Sequence, residues 1–254
     1  MSTAAVEEKK PEVSPLFKAR IAGVLYLVTV LTRILADGVV RDRLVRSMDG
    51  AATATNILAH PSLFRLGFAA DVIAFASYIA LTALLYELLR PVNRSLSLMA
   101  AFFSLVACIS QAISSVFHLT VLNVLGGEGY LRGFTTEQLQ ALALLLLKLR
   151  AVTYHNIGLV FLGLYCITIG YLIFRSTYLP RAVGALTALA GLAYLPFLWP
   201  PLAKSLLPYL LIPAGVGQIS LTLWLLIVGL NVPRWRERAA GIDGPRDRGT
   251  PRPH

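Results

Sequence analysis

Six long stretches of apolar residues determine what this chain can fold into. A membrane-spanning helix needs about 20 mostly apolar residues, and six stretches meet this requirement, at about residues 20–40, 63–89, 97–125, 151–174, 182–202 and 206–232. Charged residues make up only 14% of the chain, against roughly 25% in an average soluble domain. The sequence therefore predicts an all-α fold, a polytopic transmembrane helix bundle with six spans, and excludes a soluble enzyme or a disordered chain.

Lys and Arg are distributed unequally between the two sides of this bundle. With six spans both termini lie on one side, together with the loops after the second and fourth spans, and this side holds 14 of the 23 Lys and Arg residues. Because basic loops stay in the cytoplasm, we expect a protein of the cell membrane with both termini cytoplasmic. The chain then divides into a cytoplasmic N-terminal segment (1–19), a six-helix membrane domain (20–232) and a basic tail (233–254). We expect the tail to be disordered, because it lacks apolar periodicity.

The two longer loops on the opposite side each contain a predicted helix. Residues 51–60 favour a short helix that Pro61 ends. In the third loop, Thr135 and Gln138 have the spacing of a capping box, and the leucines that follow form one apolar face. This short amphipathic helix either lies at the outer surface or extends the fourth span outward.

The fifth predicted span carries small residues on one face. Gly184, Ala188 and Gly191 follow each other at spacings of four and three, which places them on the same side of a helix. Small residues allow two helix backbones to approach closely, so we expect this face to contact a neighbouring helix.

Six short segments in the spans and loops resemble those of a known protein family. They are ARIAG (19–23), NILAH (56–60), LFRLGF (63–68), LRPVN (89–93), EQLQAL (137–142) and YLIFR (171–175). With these segments the chain resembles, between about residues 17 and 235, the bacterial six-helix membrane proteins of domain-of-unknown-function family 4386. The resemblance implies a six-helix membrane architecture. It implies no catalytic residue and no cofactor, because the family has no established activity.

Polar residues inside the predicted spans are the candidates for a site, because such groups are costly in lipid unless they are paired. On the third span, one polar face comprises Ser104, Cys108, Gln111, Ser115 and His118. At a rise of about 1.5 Å per residue, the charged and histidine residues of the spans fall in the outer half of the bilayer. The candidate site residues share an expected orientation towards the bundle interior; they are Arg33, Asp37, Asp71, Gln111, Ser115, His118, His155, Asn156 and Gln218.

These residues favour an outer-leaflet polar pocket for a small polar or lipidic ligand, in a binding or permeation protein. We expect Asp71 to pair with Arg33 or to bond to His118, since an unpaired carboxylate in lipid is expensive. The same groups could instead only join helices to one another. We also expect Pro213 and the glycines after it to open the sixth helix beside the pocket and leave space for water or ligand.

Two other kinds of function stay open. Asp71, His118 and His155 could supply a carboxylate and two imidazoles, a set able to hold zinc or iron in an intramembrane enzyme. The sequence contains no His-Glu-x-x-His pair, no Gly-x-Ser-x-Gly turn and no phosphate-binding glycine loop. We therefore assign no catalytic residue, metal or cofactor, and favour a protein that is not an enzyme.

The last alternative is a non-catalytic partner subunit of a membrane complex.

The basic residues lie between apolar runs rather than together in one domain. This distribution predicts that membrane lipids surround the protein and that nucleic acid does not bind it.

Overall fold

The computed structural model describes residues 14–46 and 49–243, and helices are the only regular elements in this part of the chain, apart from turns. In chain order the helices of ten residues or more are α1 (Pro15–Leu44), α2 (Gly50–Ala59), α3 (Pro61–Leu89), α4 (Arg94–Leu125), α5 (Thr136–Arg175), α6 (Arg181–Leu198), α7 (Pro200–Val228) and α8 (Val232–Asp243). Six of them, α1 and α3 to α7, are long enough and apolar enough to cross a membrane. The predicted all-α bundle with six spans is confirmed.

The spanning helices pack in a ring. Each helix contacts the next one in chain order, from α1 and α3 round to α6 and α7, and the end of α7 returns to α1. Consecutive spans run in opposite directions, so the segments that connect them lie alternately at the two ends of the bundle. We call one the α2 end, which also carries the loop between α4 and α5, and the other the α8 end.

The first and fourth spans are longer than predicted. The helix α1 continues to Leu44 instead of ending near Val40, and α5 runs for 40 residues from Thr136. Its first turn is closed by the predicted capping box of Thr135 and Gln138. The amphipathic helix of the third loop is therefore the extension of the fourth span towards the α2 end.

Both of these long helices contain a π-helical segment, Leu35–Arg41 in α1 and Thr153–Gly158 in α5. In a regular α-helix, side chains spaced four residues apart drift round the axis by roughly 40° at each step. A π turn is wider, with i→i+5 hydrogen bonds, and reduces this drift. The wider turns therefore keep side chains at spacings of four near one face of each helix.

Glycines bring α5 and α6 into close contact. A Cβ atom on Gly170 would lie 2.5 Å from the backbone nitrogen of Ala188, and one on Gly191 would lie 2.6 Å from the carbonyl oxygen of Gly163. Since real Cβ atoms are not found so near backbone atoms, only glycine fits at these positions. The small-residue face predicted for the fifth span is confirmed, and its partner is α5.

The helix α7 does not open at Pro213 as predicted. Its α-helical part is continuous from Pro200 to Leu223, with Pro208 and Pro213 inside it. The glycine that follows, Gly217, fits against α6, because a Cβ there would lie 2.4 Å from the carbonyl oxygen of Leu186. This glycine allows close packing of α7 on α6 rather than a break in the helix.

The segment after the last span also differs from the prediction of a disordered tail over 233–254. Val232–Asp243 forms the helix α8. The indole N–H of Trp235 donates to the carbonyl oxygen of Leu88 at 2.9 Å, and the guanidinium of Arg234 donates to that of Thr177 at 3.3 Å. These bonds hold α8 against the bundle, an effect that apolar periodicity alone does not indicate. Residues 244–254, and residues 1–13 of the predicted N-terminal segment, lie outside the described residues; residues 15–19 belong to α1.

Candidate functional site

A cavity of about 490 Å³ lies inside the ring of helices, and all six spanning helices contribute to its wall. We call it the central cavity. Its wall includes one polar side chain or more from each helix, among them Arg33, Tyr78, Gln111, Tyr154, Tyr194 and Gln218. Apolar groups such as Ala74, Phe75 and Leu162 fill the spaces between them. The cavity therefore has an apolar wall with a few polar groups, as small-molecule sites do.

Charged residues of α1 and α3 meet beside this cavity. Asp71 has no exposed surface, and its Oδ1 accepts a hydrogen bond from Nη1 of Arg33 at 3.0 Å. The Nη2 atom of Arg33 lies 2.8 Å from Oδ2 of Asp37, and Arg41 donates to the carboxylates of both Asp37 and Asp71. Of the two partners predicted for Asp71, Arg33 is confirmed.

A third arginine joins from α5. The Nη2 atom of Arg150 lies 3.7 Å from Oδ2 of Asp71 and 3.8 Å from Oδ1 of Asp37. We call Arg33, Asp37, Arg41, Asp71 and Arg150 the Arg–Asp cluster. With three arginines and two aspartates, the cluster holds one more positive charge than negative charges.

Two of these arginines were not among the predicted site residues. Arg41 and Arg150 fall in outer loops if the first span ends at Val40 and the fourth begins at Ala151, as the sequence predicts. The structure continues both helices past these points. The regular spacing of Arg33, Asp37 and Arg41, four residues each, is the signal in the sequence that could have revealed the first of them.

The local fold explains how the cluster assembles. A Cβ on Gly67 would lie 2.9 Å from Cγ1 of Val40, so glycine lets α3 approach α1 at this level. Asp71 lies one turn further along α3 and thus faces the arginines of α1. On the other side, the guanidinium carbon of Arg33 lies 4.1 Å from the centre of the Tyr154 ring, a distance typical of a cation–π contact.

The polar face of α4 is buried throughout, as predicted, but only part of it reaches the central cavity. Its five residues are at most 5% exposed. Cys108 and Gln111 line the cavity, whereas the Ser104 and Thr82 hydroxyls lie 2.6 Å apart and join α4 to α3. Gln111 is 5% exposed, and neither atom of its side-chain amide has a hydrogen-bond partner among the described residues.

Ser115 and His118 lie away from the two cavities described here. The Ser115 hydroxyl donates to the carbonyl oxygen of Gln111 in its own helix, at 3.0 Å. The Nε2 atom of His118 lies 2.9 Å from the carbonyl oxygen of Phe64, and the two rings are stacked with their centres 3.9 Å apart. His118 therefore packs against Phe64 of α3, and neither Ser115 nor His118 lines the central cavity, which differs from their expected place in the pocket.

A second cavity, of about 550 Å³, adjoins the first at the α2 end. We call it the side cavity. It lies between α5, α6 and the first half of α7, and it is lined by the predicted residues His155 and Asn156. Asp37, Tyr154 and Tyr194 line both cavities, so these three side chains form the boundary between them. The side chain of Gln218, in the central cavity, donates to the Tyr194 hydroxyl.

The three residues of the enzyme alternative have separate partners. Asp71 binds arginines, His118 contacts Phe64, and Nδ1 of His155 lies 2.9 Å from the carbonyl oxygen of Ala151 in its own helix. Within residues 14–46 and 49–243, no group of three or more His, Cys, Asp or Glu residues could hold a metal ion. The structure gives no geometry that supports this alternative.

Comparison with known families gives one result. The family model described as Domain of unknown function (DUF4386) matches residues 21–229. The chain belongs to the DUF4386 family. The match includes the whole Arg–Asp cluster and the wall of the central cavity, so both lie within the DUF4386 domain. No curated protein and no solved structure matches the chain. Because the DUF4386 description names no activity, function has to be argued from the site itself.

Proposed function

We propose that this member of the DUF4386 family is a multi-pass protein of the cell membrane that binds a small polar or lipidic ligand in the central cavity. The observation that supports this proposal is the cavity to which all six spanning helices contribute. Its volume of about 490 Å³ is within the usual range of ligand sites, about 300–1,000 Å³. Protein interiors are otherwise close-packed, so a space of this size is room that a ligand could fill.

The charged groups support binding rather than helix contact alone. Two ion-paired residues at the boundary of the cavity, Arg33 and Asp37, have side chains that are 17% and 46% exposed. Groups that served only to join helices would be expected to bury their charges completely, as Asp71 does. The partial exposure of these two side chains leaves part of the ion pair accessible from the cavity.

We further propose that the α2 end of the bundle faces the outside and that both termini are cytoplasmic. Two basic residues that the predicted span ends leave in outer loops, Arg41 and Arg150, belong instead to the Arg–Asp cluster. Fewer loop charges then remain at the α2 end, which strengthens the charge difference that sets orientation. Reporter fusions after Arg94 and after Gly127 test this: they should lie on opposite sides of the membrane, and finding both on one side would contradict the topology.

Cysteine labelling tests whether the central cavity contains water and opens to the outside. In a background with Cys108→Ser and Cys166→Ser, Ile34→Cys should react with a membrane-impermeant thiol reagent added from outside, because Ile34 lines the cavity. Leu31→Cys is the matched control, since Leu31 is equally exposed (56% against 59%) but does not line either of the two cavities. Equal reaction at both positions, or reaction at neither, would contradict an open central cavity.

A role as a partner subunit remains a separate prediction. It would be supported by a membrane protein that stays bound to this chain through purification. Central-cavity labelling does not depend on such a partner, so the two roles can be tested independently.

A further inference from the structure

We infer that the ligand is an anionic amphiphile: its phosphate or carboxylate headgroup binds in the central cavity beside Arg33, and its apolar chain lies in the side cavity between α5, α6 and α7. This inference rests on the proposed binding function and names the class of ligand. It combines three observations: the charge of the Arg–Asp cluster, the free polar groups of the cavity wall, and the apolar side cavity.

The first observation is the surplus of positive charge in the cluster. Among the described residues of the cluster, three arginines share two aspartates, and Arg33 and Arg41 already bind both carboxylates. Arg150 is 5% exposed, and its Nε and Nη2 atoms find no hydrogen-bond acceptor in the described part of the chain. Its nearest carboxylate oxygens, at 3.7 Å and 3.8 Å, are shared with the other two arginines, and a buried charge that is only partly compensated is costly. Asp42 also lines the central cavity, but it is exposed. Within the Arg–Asp cluster, an anion near Arg33 would balance the surplus, whereas a cation would increase it.

Asp37 does not prevent an anion from binding at this place. Its carboxylate lines both cavities, but it is paired with Arg33 and Arg41 on the same helix. The negative charge of Asp37 is therefore compensated within the cluster. Its position at the boundary also places a polar group where a headgroup would end and a chain would begin.

The second observation is a pair of hydrogen-bonding groups that are buried but not used. Gln111 and Tyr78 both line the central cavity, and the structure as described gives neither the Gln111 amide nor the Tyr78 hydroxyl a hydrogen-bond partner. Buried polar groups are normally satisfied. Because the amide N–H₂ and the phenolic O–H can both donate, they suit the oxygens of a phosphate or carboxylate.

The third observation is the apolar face that α7 presents to the side cavity. Residues at helical spacing along the first half of α7 line it, including Leu207, Leu210, Leu211 and Ala214. Leu207 and Leu211 are 42% and 63% exposed, so the cavity is open on the flank of the bundle, where lipid surrounds a spanning helix. Lys204 lies on the same face, nearer the α2 end. An acyl chain could pass from the bilayer through this opening while its headgroup reaches Arg33.

Thermal stability in a neutral maltoside detergent distinguishes the ligand classes. Dodecyl phosphate should raise the Tm of the purified full chain by several degrees, with saturation at increasing concentration. Inorganic phosphate at equal concentration should give no shift, because it lacks the chain, and dodecyltrimethylammonium should give none, because its charge is wrong. An equal shift with inorganic phosphate would overturn the amphiphile, and an equal or larger shift with the cationic or a zwitterionic dodecyl compound would overturn the anionic headgroup.

Two variants test where dodecyl phosphate binds, one for each cavity. Gln111→Leu keeps the volume of the side chain and removes its amide, so the affinity for dodecyl phosphate should fall about tenfold, as for a lost hydrogen bond to a charged group. Leu210→Trp fills the side cavity and should weaken dodecyl phosphate but leave butyl phosphate unchanged. The control is Ile219→Trp, on the same helix and outside both cavities. Unchanged affinity in Gln111→Leu or in Leu210→Trp would overturn the placement of the headgroup or of the chain, respectively.

The failure of this inference is distinguishable from that of the proposed function. Labelling of Ile34→Cys together with a preference for a cationic or neutral amphiphile would keep the cavity as a binding site and reject the anionic ligand. Absence of labelling at Ile34→Cys would reject the open central cavity itself, and with it both proposals.

Discussion

The α5–α6 interface and the Arg–Asp cluster hold the same bundle together by opposite means. At the interface, glycines remove all space between two backbones, and a Cβ atom on Gly170 would meet backbone atoms at 2.5 Å. At the cluster, long charged side chains from α1, α3 and α5 meet around a buried carboxylate, and cavities lie beside them. The first region is complete without a ligand. The second has a surplus charge and unused donors, which is why we assign binding to it.

The difference shows in how each region should respond to substitution. An added atom should destabilise the closely packed interface, and a removed charge should destabilise the ion cluster. Space beside the cluster should tolerate added atoms. Substitutions at four sites, in order of decreasing effect on the free energy of unfolding, test this contrast.

Removal of the buried charge should have the largest effect. Asp71→Asn and Asp71→Leu should each lower the free energy of unfolding by about 3–5 kcal/mol, because the buried arginines lose their shared carboxylate. Unfolding in a denaturing detergent, followed by circular dichroism, measures the change. If Asn were much milder than Leu, hydrogen bonding rather than charge would hold the cluster together.

The matched control for this prediction is an exposed ion pair at the α8 end. Lys18 Nζ lies 2.6 Å from Oε2 of Glu87, and the two side chains are 26% and 47% exposed. Glu87→Gln should lower the free energy of unfolding by less than about 1 kcal/mol. A loss as large as that of Asp71→Asn would show that burial is not what makes the cluster important.

An added methyl group at the α5–α6 interface should have the next largest effect. Gly170→Ala should lower the free energy of unfolding by about 1–3 kcal/mol, because the helices must separate to accept the new atom. Gly215→Ala is the control, since no described atom lies within 4 Å of a Cβ at Gly215. The same unfolding titration compares them, and equal effects would contradict close packing as the reason for the glycine.

Removal of a neutral hydrogen bond between helices should have a smaller effect. Thr82→Val removes the hydroxyl that lies 2.6 Å from that of Ser104, and the loss should be about 1 kcal/mol, as for polar contacts between membrane helices. Thr120→Val is the control, because the Thr120 hydroxyl is exposed and donates to the carbonyl oxygen of Val116 in its own helix. A larger loss at Thr120 would reverse the expected ranking.

The sequence predicted the apolar region of the fold better than the polar one, for physical reasons. Span number and the small-residue face of α6 depend on hydrophobicity and spacing within one helix, and both are confirmed. The partners of Arg33 followed from the cost of an isolated charge in lipid. The positions of Arg41 and Arg150 depend instead on where helices end, and helix ends are set by capping and tertiary contacts as well as by apolar length.

The same limit applies to the residues that were placed wrongly. Helical phase showed that Ser115 and His118 face the bundle interior, and they are buried there. Phase does not show whether a neighbouring helix or a cavity lies opposite, and at this level Phe64 fills the space beside His118. Likewise, Pro213 does not break α7, because neighbouring packing sustains the helix through it.

The smallest effect should come from adding an atom beside the central cavity. Gly38 lines this cavity, and no atom of the described residues lies within 4 Å of a Cβ built there. Gly38→Ala should therefore raise the free energy of unfolding by about 0.5 kcal/mol, through a smaller backbone entropy in the unfolded chain, where Gly170→Ala lowers it. The larger change Gly38→Leu should be tolerated in folding and should weaken dodecyl phosphate binding, whereas Gly215→Leu should leave binding unchanged. If Gly38→Ala destabilised the protein as much as Gly170→Ala, the space beside the cluster would be as closely packed as the α5–α6 interface, and the contrast between the two regions would not hold.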